Sequence, residues 1–323
     1  MYFVKGVQVA NKIVEVSRRV LEIYLSLFAK HEVTVIEQVV EPYRWCLVLL
    51  DREGSMIPLT TGSVIRIRRP LVGSRICPGE TLVSMTKSPE ENALFLSRTV
   101  IPCTNETVNG FCPIHASSEY SRYLAYVYGL SEFPPNVGLA TVPHMVYMLY
   151  LGGSEAKVGV ANVLKNVNRL FEQVFVFAML ITFVGNASEA RNAERTLSRA
   201  GLRERATVAE RIKYIRSITG DSLDNLLKNF LAIFLRLVKP SLEQLKICSA
   251  KNYIPILRFS NRCFDVLRSS SAISSKKHLN TIEGEAVIED YCLGGLIIDT
   301  KNARFYIPYQ LIRDRALNID IIR

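Results

Sequence analysis

Cys112-Pro113-Ile114-His115 carries two metal-ligating side chains three residues apart. That spacing lets both reach one ion from a single tight turn. Cys103 lies nine residues earlier and Cys77 further back, so Cys77, Cys103, Cys112 and His115 make up a Cys3His set of the kind that closes a tetrahedral structural Zn2+ site. Residues 77–142, which hold these ligands, are dense in Pro, Gly and Asn and poor in periodic apolar residues. An ion would supply the cohesion such a segment lacks, because metal-binding free energy becomes folding free energy. The long interval from Cys77 to Cys103 leaves a second reading open, with both as buried thiols and His115 on the surface. Seven cysteines is an odd number, which argues against a disulfide scaffold and for a cytoplasmic chain. Cys46, Cys248, Cys263 and Cys292 sit among apolar residues and read as core.

The charge points to a partner. Forty Lys and Arg stand against 30 Asp and Glu, a formal +10. Such a balance suits an anionic partner, nucleic acid first and an acidic membrane surface second, or else serves solubility alone. Residues 157–216 hold 11 of the cations and 5 of the anions. Arg191, Arg195 and Arg199 recur at i, i+4 and i+8 and predict a basic helical stripe, the footprint of nucleic-acid binding. A solvated helix face balanced by Glu189 and Glu194 is the alternative. No signal peptide is legible at the start, and the longest apolar run, Val174 to Val184, is 11 residues against the roughly 20 of a membrane span, so no membrane partner is expected.

The elements that must position these residues follow from pattern. Residues 1–76 read as β-rich, with Val33 to Ile36, Trp45 to Leu50 and Ser63 to Arg69 as strands; residues 12–29 also fit a helix, because Ile13, Val16, Val20, Ile23 and Tyr24 share a face. Met145 to Leu151 and Ala156 to Ala161 flank Gly152-Gly153 and predict a hairpin. Asn162 fits an N-cap for a helix over 163–172, Val174 to Val184 a buried strand, and Ser188 the N-cap of a helix ending before Gly201. Residues 222–238 form an amphipathic helix that Pro240 should stop. Residues 284–310 return to strands, and the Ser-rich stretch 269–275 reads as a loop. The implied organisation is a β-rich segment 1–76, a loop-rich zinc segment 77–142, a domain 143–220, a helical segment 221–250 and a β-rich segment 251–323.

Over residues 143–200 the order of motifs resembles the GIY-YIG nuclease superfamily. Tyr147 lies on the first strand, Lys157-Val158-Gly159 on the second, Arg169 on the following helix and Glu194 on a later one. A closer likeness, through Cys112-x-x-His115, Lys157-Val158-Gly159, Arg169-x-x-Glu172-Gln173, Ala193-Glu194, Gly284 to Ile288 and Gly294-Gly295, is to an uncharacterised prokaryotic family that joins a zinc knuckle to a GIY-YIG-like core. The resemblance implies an α+β fold, with a small antiparallel GIY-YIG-like sheet and helices flanked by β-rich terminal segments. It implies that Tyr147 positions or activates water, that Arg169 neutralises a scissile phosphate, that Glu194 holds Mg2+, and that Gly159 lets backbone or substrate come close. Lysine replaces tyrosine at Lys157 and can bind phosphate as a point charge, but it does not do the work of a phenol. The expectation is a nucleic-acid-binding protein, DNA or RNA, with metal-dependent phosphodiester cleavage as its activity. The alternatives are a non-catalytic RNA- or ribosome-associated module and an interaction protein that touches no nucleic acid.

Overall fold

The computed structural model describes the chain apart from residues 27–28, 88–93, 109, 133–134, 165–167, 219–222, 246–252 and 323. Cys248 and Lys165 therefore lie outside the described residues. The N-terminal part is a long antiparallel hairpin of β1 (Tyr2–Ser26) and β2 (Ala29–Leu50), with β3 (Met56–Leu59) added to β2. β4 (Val64–Ile76) follows, then a separate two-stranded hairpin of β5 (Glu80–Lys87) and β6 (Leu94–Ile101), and the short β7 (Glu106–Thr107). After α1 (Glu119–Val127) and α2 (Gly138–Thr141) come β8 (His144–Gly152) and β9 (Glu155–Asn162), then α3 (Asn168–Phe171), β10 (Phe177–Val184), α4 (Ala187–Arg199) and α5 (Val208–Arg216). The C-terminal part holds α6 (Leu223–Ile233), α7 (Lys239–Gln244), β11 (Ile254–Phe259), α8 (Asn261–Ser269), β12 (Ser271–Ala272), α9 (Lys276–Leu279), β13 (Gly284–Cys292), β14 (Gly295–Thr300), β15 (Arg304–Pro308), α10 (Tyr309–Ile312) and β16 (Arg315–Ile322).

Among the described residues, fourteen of these strands form one mixed sheet, ordered β12-β15-β14-β13-β4-β16-β1-β2-β11-β10-β8-β9 with β3 and β7 attached at the side. This corrects the expected architecture of a small separate sheet with helices. The hairpin β8–β9 and the strand β10 do form an antiparallel trio, but β10 spends its other edge on β11, which runs parallel to β2. A strand as apolar as β10 has no stable exposed edge, and the pairing that covers it comes from a segment about 75 residues away, which no local pattern reports.

Other expectations are corrected locally. Residues 12–26 are strand, because their β-branched residues pair with β2 through two register shifts. Asn162 ends β9, and the described helix there is only Asn168–Phe171. Asn186, not Ser188, caps α4: its side chain accepts from the Glu189 N–H, while the Glu189 carboxylate takes the N–H of Gly185. The helix after Leu223 is not stopped by Pro240. A π turn over Phe234–Val238 precedes α7, so Pro240 falls in that helix's first turn, where its missing N–H costs little. The stretch 269–275 includes β12, paired parallel with β15.

The segment 77–142 also has an apolar core of its own. Tyr120, Tyr123 and Tyr126 stack along one face of α1 against Val137, Leu139 and Ala187. Tyr123 Oη lies 2.8 Å from His144 Nε2 and accepts from Asn162 Nδ2 at 3.2 Å, which fastens α1 to β8 and β9. The Val142 carbonyl, 2.7 Å from Nδ1, makes that nitrogen the donor, so Nε2 takes the tyrosine proton. No described helix is long and apolar enough to cross a membrane.

Candidate anion pocket and metal centre

The four sequence-expected ligands meet. Cys77 follows β4, Cys103 follows β6, and Cys112 and His115 share a turn closed by the His115 N–H on the Cys112 carbonyl at 3.0 Å. All four ligand atoms lie within 4.8 Å of one another, and the three cysteines are buried. Bonds of about 2.3 Å to sulfur set tetrahedron edges of about 3.8 Å. The Cys103–Cys112 sulfur separation is 3.9 Å, and His115 Nδ1 lies 3.5 and 3.3 Å from Cys77 and Cys112. This buried Cys3His group can hold a metal ion.

Burial pushes the Cys77 thiol up to about 11. Burial also opposes ionisation of Cys112, but hydrogen bonds from His115 and Asn105 outweigh it and bring that thiol to about 6. Gly79, at φ +81°, turns the chain against the backbone of Ile101 to Cys103, with no room for a Cβ. Lys5 of β1 reaches the carbonyls of Cys77 and Cys103 at 2.8 and 2.5 Å, a tether from the N-terminal strand that the ligand spacing does not reveal.

The second cluster surrounds a cavity of about 360 Å³ between β8, β9, α3, α4 and α5. Tyr147, Lys157, Gly159, Arg169, Arg191 and Glu194 all line it; Arg195 and Arg199 are exposed and do not. Four residues per step over-rotates a helix by about 40°, so a stripe begun at Arg191 drifts off the buried face. Gly159 stands directly opposite Tyr147 on the paired strands, and a Cβ there would lie 2.6 Å from both Cζ and Oη of the ring. Only glycine lets the ring lie across β9.

Tyr147 is 1% exposed, and burial raises its phenol. Its Oη accepts from Gln173 Nε2 at 2.9 Å, and Gln173 Oε1 accepts from Arg211 at 3.4 Å. Arg169 pairs with Glu172 at 2.6 Å. Glu194 and Glu204 both bond the Arg191 guanidinium, at 2.5 and 3.2 Å, and burial raises the Glu194 carboxyl. Glu194 therefore meets a guanidinium in this structure, and among the described residues the Cys/His cluster alone gathers three or more metal-ligating groups.

Sequence reasoning missed Arg211, and it left Gln173 without a role. It also missed the C-terminal brace: Tyr291 Oη donates to the Phe171 carbonyl at 2.9 Å, and the Gly294 turn packs against the Gln173 backbone. The Glu172-Gln173 pair beside Arg169 was a signal for Gln173. Nothing local marked Arg211, which stood only as one of the eleven cations of residues 157–216.

The electrostatics are unbalanced. Five cations, Lys157, Arg169, Arg191, Arg205 and Arg211, face the cavity against two carboxylates. Burial first, then Arg211 and Arg169, hold the Lys157 amine down to about 7. Burial lowers Arg211 to about 10, with Arg169 acting in the same direction. Buried Nε atoms of Arg191 and Arg211 have no hydrogen-bond partner. Close-set cations with unmet donors are stabilised by an anion. No family model, no curated protein and no solved structure matches the chain.

Proposed function

We propose that this protein binds nucleic acid and seats a phosphodiester in the cavity beside Tyr147, in the manner of the GIY-YIG resemblance. The observation that carries the reading is the excess of cations around one hollow, with the buried Arg191 and Arg211 each keeping an unmet donor. Arg169 and Arg211 offer planar forks to phosphate oxygens, and Lys157 adds a point charge. The Cys/His cluster takes Zn2+ in this proposal, since a nitrogen–sulfur set with tetrahedral edges suits that ion, and its reduced thiols suit the cytoplasm.

The test is binding of fluorescent single- and double-stranded DNA and RNA as salt is raised. Affinity should fall linearly on a log–log plot, and Arg211→Met should weaken it and flatten the slope. Binding by the wild type that ignores salt, or none, rejects the proposal.

One observation favours cleavage as well: an amine held near 7 beside a phenol, with Lys157 Nζ 5.9 Å from the centre of the Tyr147 ring. The water oxygen attacks phosphorus and its proton passes to bulk water, the bond from phosphorus to the leaving oxygen breaks, and the Lys157 ammonium protonates that oxygen while the Tyr147 hydroxyl donates to a phosphate oxygen. Cleavage abolished by both Lys157→Met and Tyr147→Phe selects this reading; binding without cleavage selects the non-catalytic module.

A further inference from the structure

The outer edge of β1 is open. On one side β1 pairs with β2 from Phe3 to Ser26; on the other, only Tyr2 and Phe3 meet β16. Among the described residues, no strand pairs with that edge from Val4 onward. The same stretch exposes Ile13, Val14, Val16, Val20 and Tyr24, with Val16 at 60% and Val20 at 57%. An open edge carrying exposed β-branched residues is a template for another strand.

The occupant follows from the charge order. Suppose two copies of β1 pair antiparallel about a twofold axis perpendicular to the sheet. Directly opposed residues must then share a face, so the axis passes through a residue. Axes through Glu15, Arg18 or Arg19 set like charges against each other. An axis through Val16 opposes no charges, and one through Val20 sets Arg18 against Glu22 twice but overlaps only residues 14–26, against 8–26 for an axis through Ser17. An axis through Ser17 sets Glu15 against Arg19 twice and a small hydroxyl side chain against itself at the centre, all within the regular stretch that follows the register shift at Val14. Opposite charges and apolar pairs directly across are what stabilise a strand pair, and like charges destabilise it.

We infer that β1 pairs with β1 of a second copy of this chain, with Ser17 on the twofold axis. The interface is isologous and extends the fourteen-stranded sheet across two subunits. It stands independently of the anion pocket.

Full-length protein in sedimentation velocity and light scattering tests it. The wild type should show a concentration-dependent dimer. Val16 faces Arg18 of the other copy in this register, and its exposed side chain can change without touching a core contact. Val16→Glu should therefore tighten the dimer and Val16→Arg loosen it, each by roughly twofold to thirtyfold in dissociation constant. Glu15→Arg and Arg19→Glu should each weaken self-association, and an equimolar mixture of the two variants should pair again. Arg19 also contacts Asp224 at 2.9 Å and the buried Glu37 at 3.6 Å within its own chain, so its variant is checked for folding, with the Val16 arms independent of those contacts. A wild type that stays monomeric overturns the inference. So do Val16 variants that shift together or not at all.

Discussion

Lys157→Met should make the protein more stable and a poorer ligand for anions. The substitution keeps an unbranched apolar stem and removes the charge. Burial, with Arg211 and Arg169, holds the amine down to about 7 from an ordinary 10.5. The unfolded chain keeps that proton up to 10.5, whereas the folded chain releases it at about 7. Stability therefore rises with pH between those values, and at neutral pH the lysine costs the folded state up to about 5 kcal/mol at about 1.4 kcal/mol per pH unit. The variant removes this cost, so its melting temperature should rise by several degrees at pH 7 and hardly at all near pH 10. Binding moves the other way. An anion needs the ammonium, so above pH 7 the wild type must take up a proton as it binds, and its affinity for a single-stranded oligonucleotide should fall up to tenfold per pH unit. In the variant the affinity should be weaker at pH 6 and flat above pH 7. Differential scanning fluorimetry and fluorescence anisotropy, run from pH 6 to 10, read both effects. A variant that melts lower at pH 7, or that keeps the wild-type pH slope, refutes the electrostatic account of the cavity.

Three further outcomes follow from the geometry. Elemental analysis should return one zinc per chain, and stripping it with a strong chelator, or replacing Cys112 by Ser, should lower the melting temperature and open residues 77–115 to protease; metal-free protein that melts unchanged removes the site. Gly159→Ala pushes a Cβ to 2.6 Å from Tyr147 and should cost about 1–3 kcal/mol in urea denaturation, with a loss of oligonucleotide affinity; an unaltered midpoint would mean the ring has room to move. Burial holds the His144 imidazole down to about 4, below its ordinary 6.5, so the stability it contributes is complete above pH 6.5 and is lost as pH falls towards 4, by about 3 kcal/mol. Urea midpoints between pH 7 and 4 should show this decline, and His144→Gln should flatten it.

What the sequence revealed was local. Cys112 and His115 were legible because they sit in one turn, and Cys77 and Cys103, which follow β4 and β6 of separate sheets, because the segment that holds them showed no periodic core. Tyr147, Lys157 and Gly159 were named by the resemblance, and the two-glycine turn gave the hairpin on which Tyr147 and Gly159 face each other. Arg211 was not, since its role depends on how α5 folds back under β8, and a basic residue on an amphipathic helix looks the same facing water. The large sheet was hidden for a related reason. Among the described residues, the strands of the candidate pocket join the N-terminal hairpin only through β11, six residues whose pairing partners lie more than two hundred positions away in β2. The tyrosines of α1 were obscured by the turn-forming residues around them, although their spacing of three was present.

The Gln173 bridge determines what kind of atom the Tyr147 hydroxyl can greet. A guanidinium only donates, so the amide oxygen of Gln173 must turn to Arg211, and its nitrogen is left for the phenol and for the Arg169 carbonyl. The phenol oxygen is thereby committed as a receiver, while its one hydrogen stays unspent. That polarity admits a guest with a lone pair to share and turns away an ammonium, and a point change at Gln173, itself uncharged, would undo the preference.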